Sequence, residues 1–231
     1  MILWLRSALF LLWFVLVTTI LSLIFLPVLI LPRAATVSLA RIWSHVTLWG
    51  LKVFAGIDFE IRGRPPKGPV LVASKHMSMW DTLALYMALD APATVLKREL
   101  LRIPFYGWFL WKSTAIAIDR AGGARALREM SNAAKKVLAQ GRPILIFPEG
   151  TRKKPGAAPD YKPGVAGLYA LLNVACVPVA LNSGVYWTGF LKRPGTIVLE
   201  FLEPIAPGLK RDAFMTLLEQ RIEAATAALL P

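Results

Sequence analysis

The sequence predicts an α/β domain with a largely parallel sheet flanked by helices, preceded by an N-terminal membrane-associated helical segment. Three observations carry this. Residues 7–32 hold no charged side chain, so a long apolar helix opens the chain. From about residue 58, short apolar runs alternate with amphipathic stretches, the order expected of a layered domain with a parallel sheet. The 231 residues suffice for one such domain and a short extra element. The chain therefore divides into an anchor, residues 1–56, and an α/β domain, residues 57–231.

The uncharged run from Ser7 to Pro32 lies between Arg6 and Arg33. As a straight helix it measures roughly 39 Å, enough to cross a ~30 Å hydrocarbon core. It is longer and more uniformly apolar than the core of a signal peptide. Pro27 and Pro32 interrupt its far end, so the segment either spans the bilayer or enters one leaflet and turns back. A second helix follows. Leu39, Ile42, Val46, Trp49 and Val53 recur at three- and four-residue spacing on one face. Arg41, His45 and Lys52 share the other face, with Leu48 the exception. Such a helix suits a membrane interface, a site packed on the folded core, or both.

Strands are predicted at Asp58–Arg62, Val70–Ser74, Ala93–Leu96, Thr114–Ile118, Pro143–Phe147, Val177–Asn182 and Thr196–Phe201. A helix is predicted over Ala124–Ala139. Its apolar face is Leu127, Met130, Ala134, Val137 and Leu138, and its solvent face carries Arg128, Asn132 and Lys135. Further helices fall near Thr82–Leu89, Val165–Leu172 and Arg211–Leu229. In such folds reactive groups collect at the ends of strands and in the loops that follow.

Hydrophobic residues make up 56% of the chain, and the net charge is +13. A balance this basic fits nucleic acid or an anionic membrane. The apolar content favours the membrane, and no zinc-finger spacing or RNA-binding aromatic signature is present, so no nucleic-acid partner is expected. The lone cysteine, Cys176, permits no intrachain disulfide and fits a reducing compartment. It lies in the apolar run Asn173–Leu181 and reads as a small buried hydrophobe. Most basic residues follow the apolar run, which places the α/β domain on the cytoplasmic face.

Four segments could carry chemistry. The first is Ser74-Lys75-His76-Met77-Ser78-Met79-Trp80-Asp81. Imidazole titrates near neutrality and can take a proton from an alcohol. A carboxylate on its other nitrogen fixes the tautomer. His76 and Asp81 can meet if the loop turns into a helix. Alone, the pair also reads as a satisfied loop histidine beside a capping aspartate. The second, Ala115 to Arg120, ends a β run in Asp119 and Arg120, which also reads as a surface ion pair. The third, Ile144 to Arg152, delivers Glu149, Gly150, Thr151 and Arg152 from an apolar strand into a tight turn. Glycine lets backbone approach a ligand closely, and arginine can grip a phosphate with two parallel hydrogen bonds. The fourth, Val177 to Gly184, reads by itself as structure.

In this order the set resembles the glycerolipid acyltransferases, specifically the 1-acyl-sn-glycerol-3-phosphate acyltransferases. His76 to Asp81 is similar to their H-x-x-x-x-D block, and Ile118-Asp119-Arg120 to the end of their second block. Phe147-Pro148-Glu149-Gly150-Thr151-Arg152 matches the third in full, and Val177-Pro178-Val179 resembles the fourth. The resemblance covers roughly residues 58–210. Thr114 and Ala117 stand where that family has glycine and an aromatic, and Lys75 where it often has asparagine. Leu96 to Leu100 resembles a further stretch of the family, whose lysine, here Lys97, faces the site.

The resemblance implies acyl transfer from acyl-CoA or acyl-carrier protein to the sn-2 hydroxyl of lysophosphatidic acid, giving phosphatidic acid, with no metal and no other cofactor. It implies His76 and Asp81 as the catalytic pair. Arg152, Arg120 and Lys97 would hold the phosphate, with Glu149, Gly150 and Thr151 around the glycerol part. The rivals are acylation of another lyso-lipid, such as a lyso-ornithine lipid, a thioester hydrolase, and a non-catalytic membrane module. No G-x-S-x-G elbow supports the hydrolase, and a mere membrane module leaves the polar grouping unexplained.

Overall fold

The computed structural model describes residues 1–119 and 122–231. The apolar opening folds as α1, Ile2–Ile24. Among the described residues it is the one helix long and apolar enough to cross a membrane. It ends before Pro27, which sits in a 3-10 turn, Leu26–Ile30. After Pro32 the chain reverses into α2, Arg33–Gly50. The hairpin is antiparallel: Trp13 Nε1 donates to Val46 O (3.1 Å) and Trp43 Nε1 to Thr18 Oγ1 (3.0 Å). At its close end Gly50 faces Trp13, and a Cβ there would lie 2.0 Å from the indole. A single π turn, Leu51–Ala55, then delivers the chain to the sheet.

The second helix is oriented in a way its periodicity does not specify. Ile42, Trp49 and Val53 of its apolar face are exposed, continuing the outer apolar face of α1. The face that packs inward carries Thr36, Ser44, Thr47 and Leu48, where short side chains permit close helix contact.

The sheet elements and helices then run in chain order: β1 Ile57–Arg62, β2 Leu71–Ser74, α3 Trp80–Ala88, β3 Ala93–Lys97, a 3-10 turn Arg98–Arg102, α4 Tyr106–Lys112, β4 Ile116–Ile118, α5 Gly123–Leu138, β5 Ile144–Ile146, α6 Gly164–Leu172, β6 Cys176–Leu181, α7 Ser183–Tyr186, β7 Trp187–Thr188, β8 Leu191–Lys192, β9 Gly195–Phe201 and α8 Arg211–Leu229. The seven-stranded order is β1-β9-β6-β2-β5-β3-β4. From β6 to β4 every pairing is parallel. β9 pairs antiparallel with β6, and β1 runs parallel to β9. The reversal follows from the connection: β6 reaches β9 through the short β7–β8 hairpin, with no crossover helix of the length a parallel return needs.

Alternate residues of the central strands face opposite layers. Leu71, Ala73, Ile144 and Ile146 pack with α5, α6 and α8; Val72, Leu145 and Val177 pack with α3 and the N-terminal hairpin. Cys176 is fully buried in the first layer. The β7–β8 hairpin clamps α1. Lys192 N donates to Ser7 Oγ at 2.9 Å, and Trp187 meets Phe10 edge-on at 5.3 Å.

β2 and β5 are neighbours, yet their outgoing connections run in opposite directions, through α3 on one face of the sheet and α6 on the other. β2 continues past β5 to β3, and β5 continues past β2 to β6. Adjacent parallel strands whose connections leave on opposite faces open a crevice at their carboxyl ends, where ligands of such folds bind.

Candidate active site

The loop leaving β2 carries His76. Its Nδ1 lies 2.8 Å from Asp81 Oδ2. The sequence folds this way because Asp81, in the first turn of α3, draws the loop onto itself. Its Oδ2 accepts the backbone N–H groups of Met77 (2.7 Å) and Ser78 (2.9 Å). Its Oδ1 accepts from the Ser183 hydroxyl at the start of α7, and Ser78 Oγ lies 3.2 Å away. Asp81 is fully buried, whereas the His76 side chain is 12% exposed and lines a cavity. Phe147 stacks on the imidazole, with centroids 4.0 Å apart and planes 22° apart. The ring is thus fixed by a carboxylate at one edge and an aromatic on one face. Nδ1 is committed to Asp81, so Nε2 is the nitrogen offered to a substrate.

The loop leaving β5 closes through Gly150 N donating to Phe147 O (2.9 Å), with Gly150 in the left-handed region at φ +66°. Any other residue there would be strained. Lys153 N donates to His76 O (2.9 Å), which joins the two loops. Gly150, Thr151 and Arg152 line the same cavity as His76, and so does Lys97 from the end of β3. Asp119 lines it as well. Arg120, expected to help hold a phosphate, lies outside the described residues.

Glu149 is placed otherwise. It does not line the cavity. Its carboxylate turns into the protein, where Oε1 accepts from Lys75 Nζ at 2.9 Å and Oε2 lies 3.5 Å from His76 N. Burial pushes the Glu149 carboxyl above its ordinary pKa, against the pull of the Lys75 ammonium. Lys75 also reaches Glu223 of α8 at 2.7 Å, and Tyr161 donates its hydroxyl to the same carboxylate at 2.8 Å.

The cavity measures about 1010 Å³. Most of its wall is apolar, with Leu21 of α1, Leu39 and Trp43 of α2, Leu83 of α3 and Phe109 of α4, and hydroxyls such as Thr18, Ser44 and Tyr86 and the cations Lys162 and Arg211 are interspersed. A positioned base, a cationic rim and a long apolar chamber shared with the N-terminal hairpin suit an alcohol that carries an anion and a hydrocarbon chain.

Residues 57–182 match the family described as Acyltransferase. The chain belongs to the acyltransferase family. A 1-acyl-sn-glycerol-3-phosphate acyltransferase of Pseudomonas aeruginosa is 39% identical over 159 residues, 67% of this chain and 62% of that one. The chain thus spans less than two thirds of that relative's length. The alpha enzyme of the same name from Ovis aries is 32% identical over 203 residues, 82% of this chain and 70% of that one. The fold matches the crystal structure of the 1-acyl-sn-glycerophosphate acyltransferase of Thermotoga maritima with a TM-score of 0.79 at 22% identity, over 97% of this chain and 96% of that one.

In this acyltransferase two residues that brace the candidate site carry no signal in their local sequence. Ser183 follows β6 and reads as the end of a structural segment, yet it holds Asp81 from 102 positions away. Glu223 lies in a helix with nothing unusual in its local pattern and reaches Lys75, the residue before His76. Phe147 belongs to the third motif, but its stacking on His76 needs two loops from adjacent strands to come together.

Proposed function

We propose that this acyltransferase moves a fatty acyl group from a thioester, acyl-CoA or acyl-carrier protein, to the sn-2 hydroxyl of 1-acyl-sn-glycerol 3-phosphate, forming phosphatidic acid. The observation that carries this is the His76–Asp81 pair at the edge of a cavity whose rim holds Arg152 and Lys97 and whose walls are mostly apolar. His76 Nε2 takes the hydroxyl proton as the alcohol oxygen attacks the thioester carbonyl. The C–S bond breaks, and the imidazolium returns the proton to the leaving thiolate. Asp81 stabilises the imidazolium between the two transfers. No covalent acyl-enzyme is needed. Arg152 and Lys97 bind the acceptor phosphate, Arg152 by a two-bond contact. Glu149 acts from behind, holding the loop that presents Gly150, Thr151 and Arg152.

The acceptor and product live in the bilayer, and the anchor fits that. α1 is held along its length, by Ser7 and Phe10 to the β7–β8 hairpin and by Trp13 and Thr18 to α2. A helix so held lies in one leaflet with its outer face in lipid, so the protein sits on a single face of the membrane, the cytoplasmic one where thioester donors are made.

Thiol release from an acyl thioester, followed with and without lysophosphatidic acid, tests the reading. Release that requires lysophosphatidic acid and yields phosphatidic acid supports it. Release without any acceptor identifies a hydrolase, and release only with a different lyso-lipid, such as a lyso-ornithine lipid, changes the acceptor.

A further inference from the structure

α4 has the sequence Tyr-Gly-Trp-Phe-Leu-Trp-Lys, with large aromatic and aliphatic side chains on both sides before its last residue, Lys112. A helix of that kind is buried in protein or immersed in lipid. One side of it, Phe109 and Leu110, walls the cavity. The other presents Trp108 and Trp111, 47% and 72% exposed, with Ile103 and Phe105 exposed just before them. The presentation is built rigidly. Gly107 packs its backbone on the preceding 3-10 turn, where a Cβ would lie 2.2 Å from Leu101 O. Gly107 N also donates to Ile103 O at 2.8 Å.

Two further features say what covers this face. Between Lys97 and Lys112 the basic residues are Lys97, Arg98, Arg102 and Lys112, against the single acid Glu99. Arg98 is paired with Glu129 and Lys97 lines the cavity, which leaves Arg102 and Lys112 beside the aromatic centre with no acid between them, a composition that suits the headgroup level of an anionic bilayer. α4 also lies against α2 and the 3-10 turn of the N-terminal hairpin, where Phe25, Ile30 and Leu31 are exposed. The two exposed apolar surfaces are thus continuous.

We propose that residues 103–112 form a second lipid-binding face, separate from α1, that seats Trp108 and Trp111 in the interface of an anionic bilayer. This face sets the α4 wall of the cavity against the lipid, so an acyl chain passes from the leaflet along Phe109 and Leu110 without crossing water. The proposal rests on the reading that the enzyme works on membrane-embedded acceptor.

The test uses the full chain. Cys176 is fully buried, so Trp111→Cys can be labelled alone with a small fluorophore, and Lys136→Cys on the exposed side of α5 is the control. Both are reconstituted in phosphatidylglycerol vesicles. Brominated phospholipids should quench the label at position 111 and not at 136. Aqueous iodide should quench position 111 severalfold less than 136, with less protection in phosphatidylcholine. Equal iodide access at both positions in protein that floats with the vesicles overturns the proposal and leaves the anchor intact. Protein that fails to float overturns the membrane reading itself. A Trp108→Gln/Trp111→Gln variant should lose activity severalfold on vesicle-embedded acceptor and keep it on a water-dissolved short-chain acceptor. Equal loss on both assigns these residues a purely structural part and also overturns the proposal.

Discussion

Lys75 Nζ lies 2.9 Å from Glu149 Oε1, with side chains 2% and 1% exposed. The residue before His76 and the carboxylate of the third motif are therefore one buried ion pair. It ties the loop after β2 to the loop after β5 from the side away from the cavity, and Glu223 anchors the pair to α8.

Removing one member of a buried pair strands the other. Lys75→Met leaves Glu149 and Glu223 facing each other without a cation, and should cost about 3–5 kcal/mol of stability, read by denaturant unfolding. Adding Glu149→Gln should recover part of that loss. A single variant as stable as the parent would show that the pair holds nothing together.

In the proposed mechanism Asp81 acts through His76, whose Nδ1 it holds. Asp81→Asn replaces an acceptor of the Nδ1–H by an amide and should lower kcat about 10²–10⁴-fold, with little change in the acceptor KM. Ser183→Ala, which removes one donor to the same carboxylate, should give a smaller fall in kcat. A fall confined to KM would place Asp81 in binding instead.

Arg152 lines the cavity beside Gly150 and Thr151. Arg152→Lys keeps the charge and loses the planar two-bond grip. The acceptor KM should rise while the thioester KM holds. Equal changes in both would remove the phosphate from this residue.

Cys176 is fully buried, and burial pushes its thiol well above the ordinary pKa. A raised thiol pKa means the protonated form persists as pH rises through the range where a free thiol ionises. At pH near 8.5, the pKa of a free thiol, an aromatic disulfide reagent should find no reactive thiol in the native enzyme and one equivalent after denaturation. Alkylating agents should leave turnover unchanged. Inactivation by them would point to a thiol acyl-enzyme.

The seven strands of the main sheet and the helices α3, α5, α6 and α8 were legible as short apolar runs alternating with amphipathic stretches, whereas the two-residue strands of the β7–β8 hairpin are too short to show a pattern. The third motif was legible because a sharp strand-to-loop turn, its simpler reading, does not explain Glu149, Thr151 and Arg152 packed beside an apolar strand. What local pattern could not hold is pairing at long range. Lys75 finds Glu149 at a separation of 74 residues and Glu223 at 148, and nothing in either helix or loop advertises the partner. The same limit hid the role of Glu149, which reads as a ligand group in the motif and is a buried strut in the fold. α4 is too short, and too uniformly apolar, to show a helical period. The outward apolar face of α2 followed the membrane reading of its periodicity, and the inward one went to small side chains that periodicity ranks low. The reversed direction of β9 depends on a connection length, not on the strand's own residues.

Direct transfer with His76 as the base is tested most directly by the His76→Ala enzyme in the acceptor-dependent thiol-release assay, with folding and vesicle binding checked in parallel. The account predicts a well-folded, membrane-bound protein whose lysophosphatidic-acid-dependent release falls by about 10²-fold or more. Release at the parent rate from that variant would contradict it.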